Sequence, residues 1–140
     1  SANLVDARMH TGTVNFATVM TVPDALEFQA SIGIENKAAR VRYLRDRWVN
    51  AVRSDGRINV LTPDDAKLVG AITSFRLRGR GDAASNQAVT RTLHDEFRIF
   101  TFARTGLAKG DCVRVTPALY NSAADLDKLA RALTTLAARG

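Results

Sequence analysis

One cysteine and two histidines are all that 140 residues offer for thiol and imidazole chemistry. With Cys112 alone, the chain cannot close an internal disulfide or build a cysteine-based metal site. His10 and His94 lie too far apart in sequence to make a metal-binding pair, so no metal site is expected. No run approaches the roughly 20 apolar residues that cross a bilayer as a helix, which argues against a membrane protein. The opening Ser1-Ala-Asn-Leu-Val-Asp6 has neither the basic nor the apolar stretch of a secretory signal, and a cytoplasmic location is the default expectation. Internal repeats, low-complexity tracts and an internal linker are also missing.

What is present is ordinary for a soluble globular chain: 46% hydrophobic and 24% charged residues. The length is enough for one domain with a real core. A net charge of +6 would suit a polyanion, and a small basic α+β nucleic-acid module using Arg76, Arg78 and Arg80 is one reading. The positive charge is spread along the chain, however. Arg76-Leu-Arg-Gly-Arg80 reads more simply as the charged end of a solvated edge strand running into a turn.

Along the chain, the first twenty residues carry three threonines, two asparagines and Gly12 among alternating apolar positions, and predict a loop and strand. Pro23, followed by Asp24 and Glu27, predicts the opening of a short helix that stops at Gly33. Val41, Leu44, Trp48 and Val52 recur at helical spacing over residues 35–53. Strands are expected at 58–61, 70–77 and 98–103, and a helix at 85–97 through Val89, Leu93 and Phe97. Ser122 and Asp125 have the spacing of a capping box, opening a last helix with Leu126, Leu129, Leu133 and Leu136 on its buried stripe. Helices separating short strands, with a hairpin near the end, imply an α+β fold. Its sheet of three to four strands is mostly antiparallel and is covered by helices on one face.

The most informative stretch is Asp111-Cys-Val-Arg-Val-Thr-Pro-Ala-Leu-Tyr-Asn121. Strand alternation puts Val113 and Val115 on one face and Cys112, Arg114 and Thr116 on the other. An arginine held at mid-strand is a two-pronged donor that suits a carboxylate, although a structural ion pair is an equally open role on geometry alone. Arg8-Met-His-Thr-Gly-Thr-Val-Asn15 is the second candidate, because a Gly-Thr turn can offer N–H groups and a hydroxyl to a phosphate. Arg104 and Lys109 flank the loop into the Arg114 strand, with surface residence as their default. His94 reads as a solvated surface histidine, and Cys112 as a small buried hydrophobe.

Arg114-Val-Thr-Pro-x-x-Tyr-Asn121 with its acidic helix start resembles the C-terminal end of class V aminotransferase-fold pyridoxal-phosphate enzymes. The likeness is nearest to their isopenicillin N epimerase-like and cysteine desulfurase-like branches. The resemblance implies the small C-terminal domain of a fold-type I enzyme, with residues 1–20 the tail of the large cofactor domain and 21–140 the small domain. It implies pyridoxal 5'-phosphate as cofactor, an amino acid as substrate and a homodimer, with no nucleic-acid or membrane partner. Arg114 would bind the substrate α-carboxylate, and Gly12 and Thr13 would reach the cofactor phosphate of the neighbouring subunit. None of Lys37, Lys67, Lys109 and Lys128 has the strand-end setting of the family's Schiff-base lysine, so this chain would hold no catalytic residue and be inactive alone. Epimerase, aminotransferase or lyase chemistry fits. Desulfuration is disfavoured because Cys112 lies only two residues from Arg114, inside the strand. A ligand-free dimerisation domain is the remaining rival.

Overall fold

The computed structural model describes residues 12, 13 and 15–140, which fall into two compact units dividing between Ile34 and Glu35. The first unit is built on helix α1 (Phe16–Ile32). Asn15 caps it by accepting from the Thr18 N–H at 3.3 Å, and Gly33 (φ 84°) ends it by donating to the Ala30 carbonyl. The predicted loop and strand are therefore corrected from Phe16 onward, while residues 1–11 and 14 lie outside the described residues. Pro23 sits inside α1 rather than opening it. Its missing N–H and its clash with the preceding turn cost about 3 kcal/mol, of which the Asn15 cap offsets about 1 kcal/mol. No residue of α1 is buried, and Phe16, Val19, Met20, Val22, Leu26 and Phe28 are all exposed.

The second unit carries a four-stranded sheet. Helix α2 (Ile34–Val52) leads to β1 (Ile58–Val60) and β2 (Thr73–Leu77). Helix α3 (Ala83–Phe97), β3 (Phe102–Arg104), β4 (Cys112–Val115) and helix α4 (Ala123–Ala138) follow. The spatial order is β1-β2-β4-β3, and every neighbouring pair is antiparallel. The α+β class, the antiparallel sheet and the hairpin near the end are as the sequence implies.

Register explains why one face is covered. Val60, Phe75, Val113 and Ala103 line up in one row across all four strands, with Ile58 beside Leu77 and Thr73 beside Val115. These residues face the helices, where Leu44, Trp48, Val49 and Val52 of α2 meet Val89 and Leu93 of α3 and Leu126, Leu129, Leu133 and Leu136 of α4. Trp48 meets Phe75 edge-on at 6.1 Å between ring centroids. Fully buried side chains of this size contribute about 1.5–3 kcal/mol each. The opposite face carries Asn59, Ser74, Arg76, Phe102, Arg104 and Arg114.

Two details depart from the periodicity. The strand expected at 98–103 is shorter and later, because Arg98 takes a left-handed conformation (φ 55°) and its N–H closes α3 on His94 and Leu93. The chain is turned there before it can pair, so Ile99 packs against the core and pairing begins at Phe102. Arg45 is buried in α2: its Nε donates to Thr73 Oγ1 at 3.1 Å and its Nη1 to Asp46 at 2.6 Å, which satisfies the charge.

Candidate functional site

Arg114 stands at the centre of the open sheet face. β4 is clamped on both sides, with Ser74 of β2 opposite Arg114 on one flank and Phe102 of β3 opposite it on the other. The backbone of Arg114 is therefore fixed by two ladders, and only its side chain is left to adjust. That side chain is half-buried, with its guanidinium carbon 5.8 Å from the centre of the Phe102 ring. Its Nε is fully buried and has no hydrogen-bond partner among the described residues. No carboxylate pairs with it there either, so the structural ion pair open to a mid-strand arginine is not made.

A cleft of about 170 Å³ lies against this guanidinium, lined by Phe100, Thr101, Phe102, Arg114 and Thr116. Thr101 Oγ1 is a second buried polar atom without a partner among the described residues. The cleft is small beside the roughly 300–1,000 Å³ of sites that enclose a whole ligand. It has room for one end of a substrate.

The turn after β4 is held by its own side chains. Pro117 is buried, and Asn121 Oδ1 accepts from the Ala118 N–H at 2.8 Å. Arg40 of α2 donates to the Asn121 carbonyl at 2.8 Å. The capping box is formed as the spacing predicts: Asp125 N–H donates to Ser122 Oγ, and the Ser122 N–H donates to Asp125 Oδ2 at 2.9 Å. Hydrogen bonds from the Ser122 backbone and the Asn121 side chain hold the Asp125 carboxyl below its ordinary pKa. Pro117, Asn121, Ser122 and Asp125 thus set the angle at which α4 leaves the arginine strand, while Tyr120 is exposed.

Gly12 and Thr13 are both exposed in a bend, with Gly12 at φ 109°, and they belong to a different compact unit from Arg114. His10 lies outside the described residues. His94 is a surface histidine beside Asp95, and Cys112 is buried, both as expected. Phe100 and Phe102, whose alternation matches core packing, are 81% and 49% exposed instead. Nothing local marks Phe102 as a neighbour of Arg114, because that contact depends on hairpin register. Arg76 is half-buried rather than a free solvated charge: it donates to the carbonyls of Asp111 at 2.7 Å and Gly110 at 2.6 Å, bracing the loop before β4. Gly110 must remain glycine there, since a Cβ would meet the Gly81 carbonyl at 2.9 Å.

No family model matches the chain. Its sequence is similar to the isopenicillin N epimerases of Streptomyces clavuligerus and Amycolatopsis lactamdurans, 30% identical to each over 125 residues. That match takes in 89% of this chain and 30% of either relative, so the chain spans about three-tenths of their length. In fold it is similar to a cysteine desulfurase of Escherichia coli (TM-score 0.73, 23% identity), over 94% of this chain and 33% of that one. A cysteine desulfurase of Thermococcus onnurineus gives a TM-score of 0.77 at 18% identity, over 95% and 34% of the two chains. A tryptophan decarboxylase of Catharanthus roseus gives 0.63 at 12% identity, over 78% and 23%. By sequence likeness to the isopenicillin N epimerases along most of its length, and by a fold shared with the matching third of the cysteine desulfurases, the chain resembles the C-terminal part of class V aminotransferase-fold pyridoxal-phosphate enzymes.

Proposed function

We propose that this chain supplies the substrate-carboxylate grip of a pyridoxal-phosphate-dependent enzyme that acts on an amino acid by epimerase, aminotransferase or lyase chemistry. One observation carries the reading. Arg114 is fixed by two β-ladders, faces a cleft, and keeps a buried Nε and an unpaired charge among the described residues. A buried donor without a partner costs about 1–3 kcal/mol, and a carboxylate bound in the cleft would recover it. Held by both oxygens, that carboxylate cannot rotate, so the guanidinium fixes which bond of the α-carbon faces the reacting group.

The residues of this chain do not by themselves fit the cofactor. Lys67, Lys109 and Lys128 are exposed and Lys37 is half-buried, and none of the four lines the cleft of Arg114. Gly12 and Thr13 form an exposed bend rather than a cup. The cofactor and its lysine are assigned to sequence beyond this chain, which would be inactive alone, with Gly12 and Thr13 serving a partner subunit in a homodimer. The exposed apolar side chains of α1, from Phe16 to Phe28, support such a larger assembly, since a contiguous apolar patch of that kind is normally covered. Burial of Cys112 in β4 disfavours a thiol nucleophile at that position. Polyanion binding through Arg76, Arg78 and Arg80 draws less support, because Arg76 and Arg80 already donate to carbonyl oxygens.

In the assembled enzyme, Arg114→Ala should weaken amino-acid binding about 30- to 1,000-fold, the loss expected when one partner of a hydrogen-bonded charge pair is removed. Cofactor content should not change. Titrating the cofactor absorbance with substrate measures both, and unaltered substrate affinity would overturn the assignment.

A further inference from the structure

Of the three arginines on the open sheet face, Arg76 already donates to the carbonyls of Asp111 and Gly110, and the proposed function uses only Arg114 of the other two. In the β3–β4 register Arg114 sits opposite Phe102, and Arg104 sits opposite Cys112. Phe102 and Arg104 are two residues apart on one strand and project to the same side. Arg104 is therefore the diagonal neighbour of Arg114, at a spacing of about 7–8 Å. Both guanidinium groups lie over the same ring, 5.7 Å from its centre for Arg104 and 5.8 Å for Arg114.

Like charges so placed repel each other, and an acid between them would be the usual relief. Among the described residues neither arginine has one. Asp111, the acid of the same hairpin, accepts from the Gly106 N–H at 3.0 Å instead. One carboxylate would answer one arginine and leave the other facing solvent with its repulsion only partly relieved. Two carboxylates on a short carbon chain would answer both. Phe102 is well placed to keep the two heads apart, because each makes a cation–π contact with its ring.

We infer that the open face of this sheet accepts an amino acid bearing a second acidic group, with Arg114 on the α-carboxylate and Arg104 on the side-chain carboxylate. The inference rests on the reading of Arg114 given above and adds the class of substrate. Arg104 is exposed and bound to no backbone group by any hydrogen bond described for it, so replacing it should leave the fold intact.

Glutamate against glutamine, and aspartate against asparagine, are the decisive ligands, since each pair differs by one charge at nearly constant shape. Their dissociation constants are measured by calorimetry on the intact protein at fixed ionic strength, with wild type, Arg104→Gln, Arg104→Lys and Arg114→Gln. The acidic member of at least one pair should bind at least tenfold more tightly than its amide. Arg104→Gln should erase that preference without changing amide affinity, Arg104→Lys should keep part of it, and Arg114→Gln should weaken all four ligands. Equal binding of acid and amide, or a preference that survives Arg104→Gln, overturns the inference and leaves the Arg114 reading standing. Binding of any ligand that is indifferent to Arg114→Gln overturns both.

Discussion

Arg114 is a residue whose chemistry works against the stability of its own domain. A guanidinium with a buried, unpartnered Nε lowers stability, whereas an aliphatic side chain of similar length in that place would not. Arg114→Leu should therefore leave the folded unit as stable as before or raise its stability by up to about 2 kcal/mol, read from the urea midpoint, while abolishing carboxylate recognition. A loss of stability of that size would instead make Arg114 a structural residue. Its facing was legible from strand alternation, because Val113 and Val115 needed the core. Its surroundings were not. Ser74 and Phe102 reach it only through pairings of β4 with strands that precede it in the chain, and local pattern carries no register. Arg45 shows the same limit from the other side. It lies among other arginines in α2 yet falls three and four residues before Trp48 and Val49, and that position on the apolar stripe is why it is buried.

At the scale of elements, caps were easier to read than boundaries. Ser122 and Asp125 announce α4 because a capping box is local chemistry, complete within four residues. Ser122→Ala should cost about 1 kcal/mol, measurable as a lower urea midpoint. Acid should act on the same device. The Ser122 backbone N–H holds Asp125 below its usual pKa, the Ser85 hydroxyl and N–H do the same for Asp82, and the Arg47 guanidinium for Asp127. Asp55, bound by Arg57, is lowered from 3.8 to about 2. Each carboxyl ionises more readily folded than unfolded, so its contribution is complete above about pH 4 and is lost as pH falls through its folded value. Stability should thus decline between about pH 4 and pH 2, and a midpoint that is flat across that window would contradict these contacts. Two elements were misread for identifiable reasons. Helix α1 hides behind Thr, Asn and an internal Pro23, and its cap is an asparagine well upstream of that proline. The stretch before β3 alternates like a strand, but Arg98 turns the chain where no glycine advertised a helix end.

At the scale of the whole molecule, the second unit has a complete core on one face of its sheet and the candidate site on the other. Its four helix-covered strands bury one face, and the other presents arginines, an exposed phenylalanine and a cleft too small for an amino acid with its cofactor. The chain corresponds to about three-tenths of its epimerase relatives, and the division of labour proposed here follows from that share. Incubating the chain with pyridoxal phosphate and reducing with borohydride should give no stoichiometric adduct on Lys37, Lys67, Lys109 or Lys128. A single fully modified lysine, located by mass spectrometry, would place the cofactor in this chain after all. The most direct test of the central claim is a cycle between one side chain and one group of the substrate. The assembled enzyme, wild type and Arg114→Ala, is titrated with a preferred amino acid and with the amine that lacks only its carboxylate. Arg114 and the carboxylate should be coupled by about 2–4 kcal/mol, so that the wild type strongly prefers the acid and the variant barely distinguishes the two. Additive losses, with the variant still preferring the acid as the wild type does, would show that the carboxylate is held elsewhere.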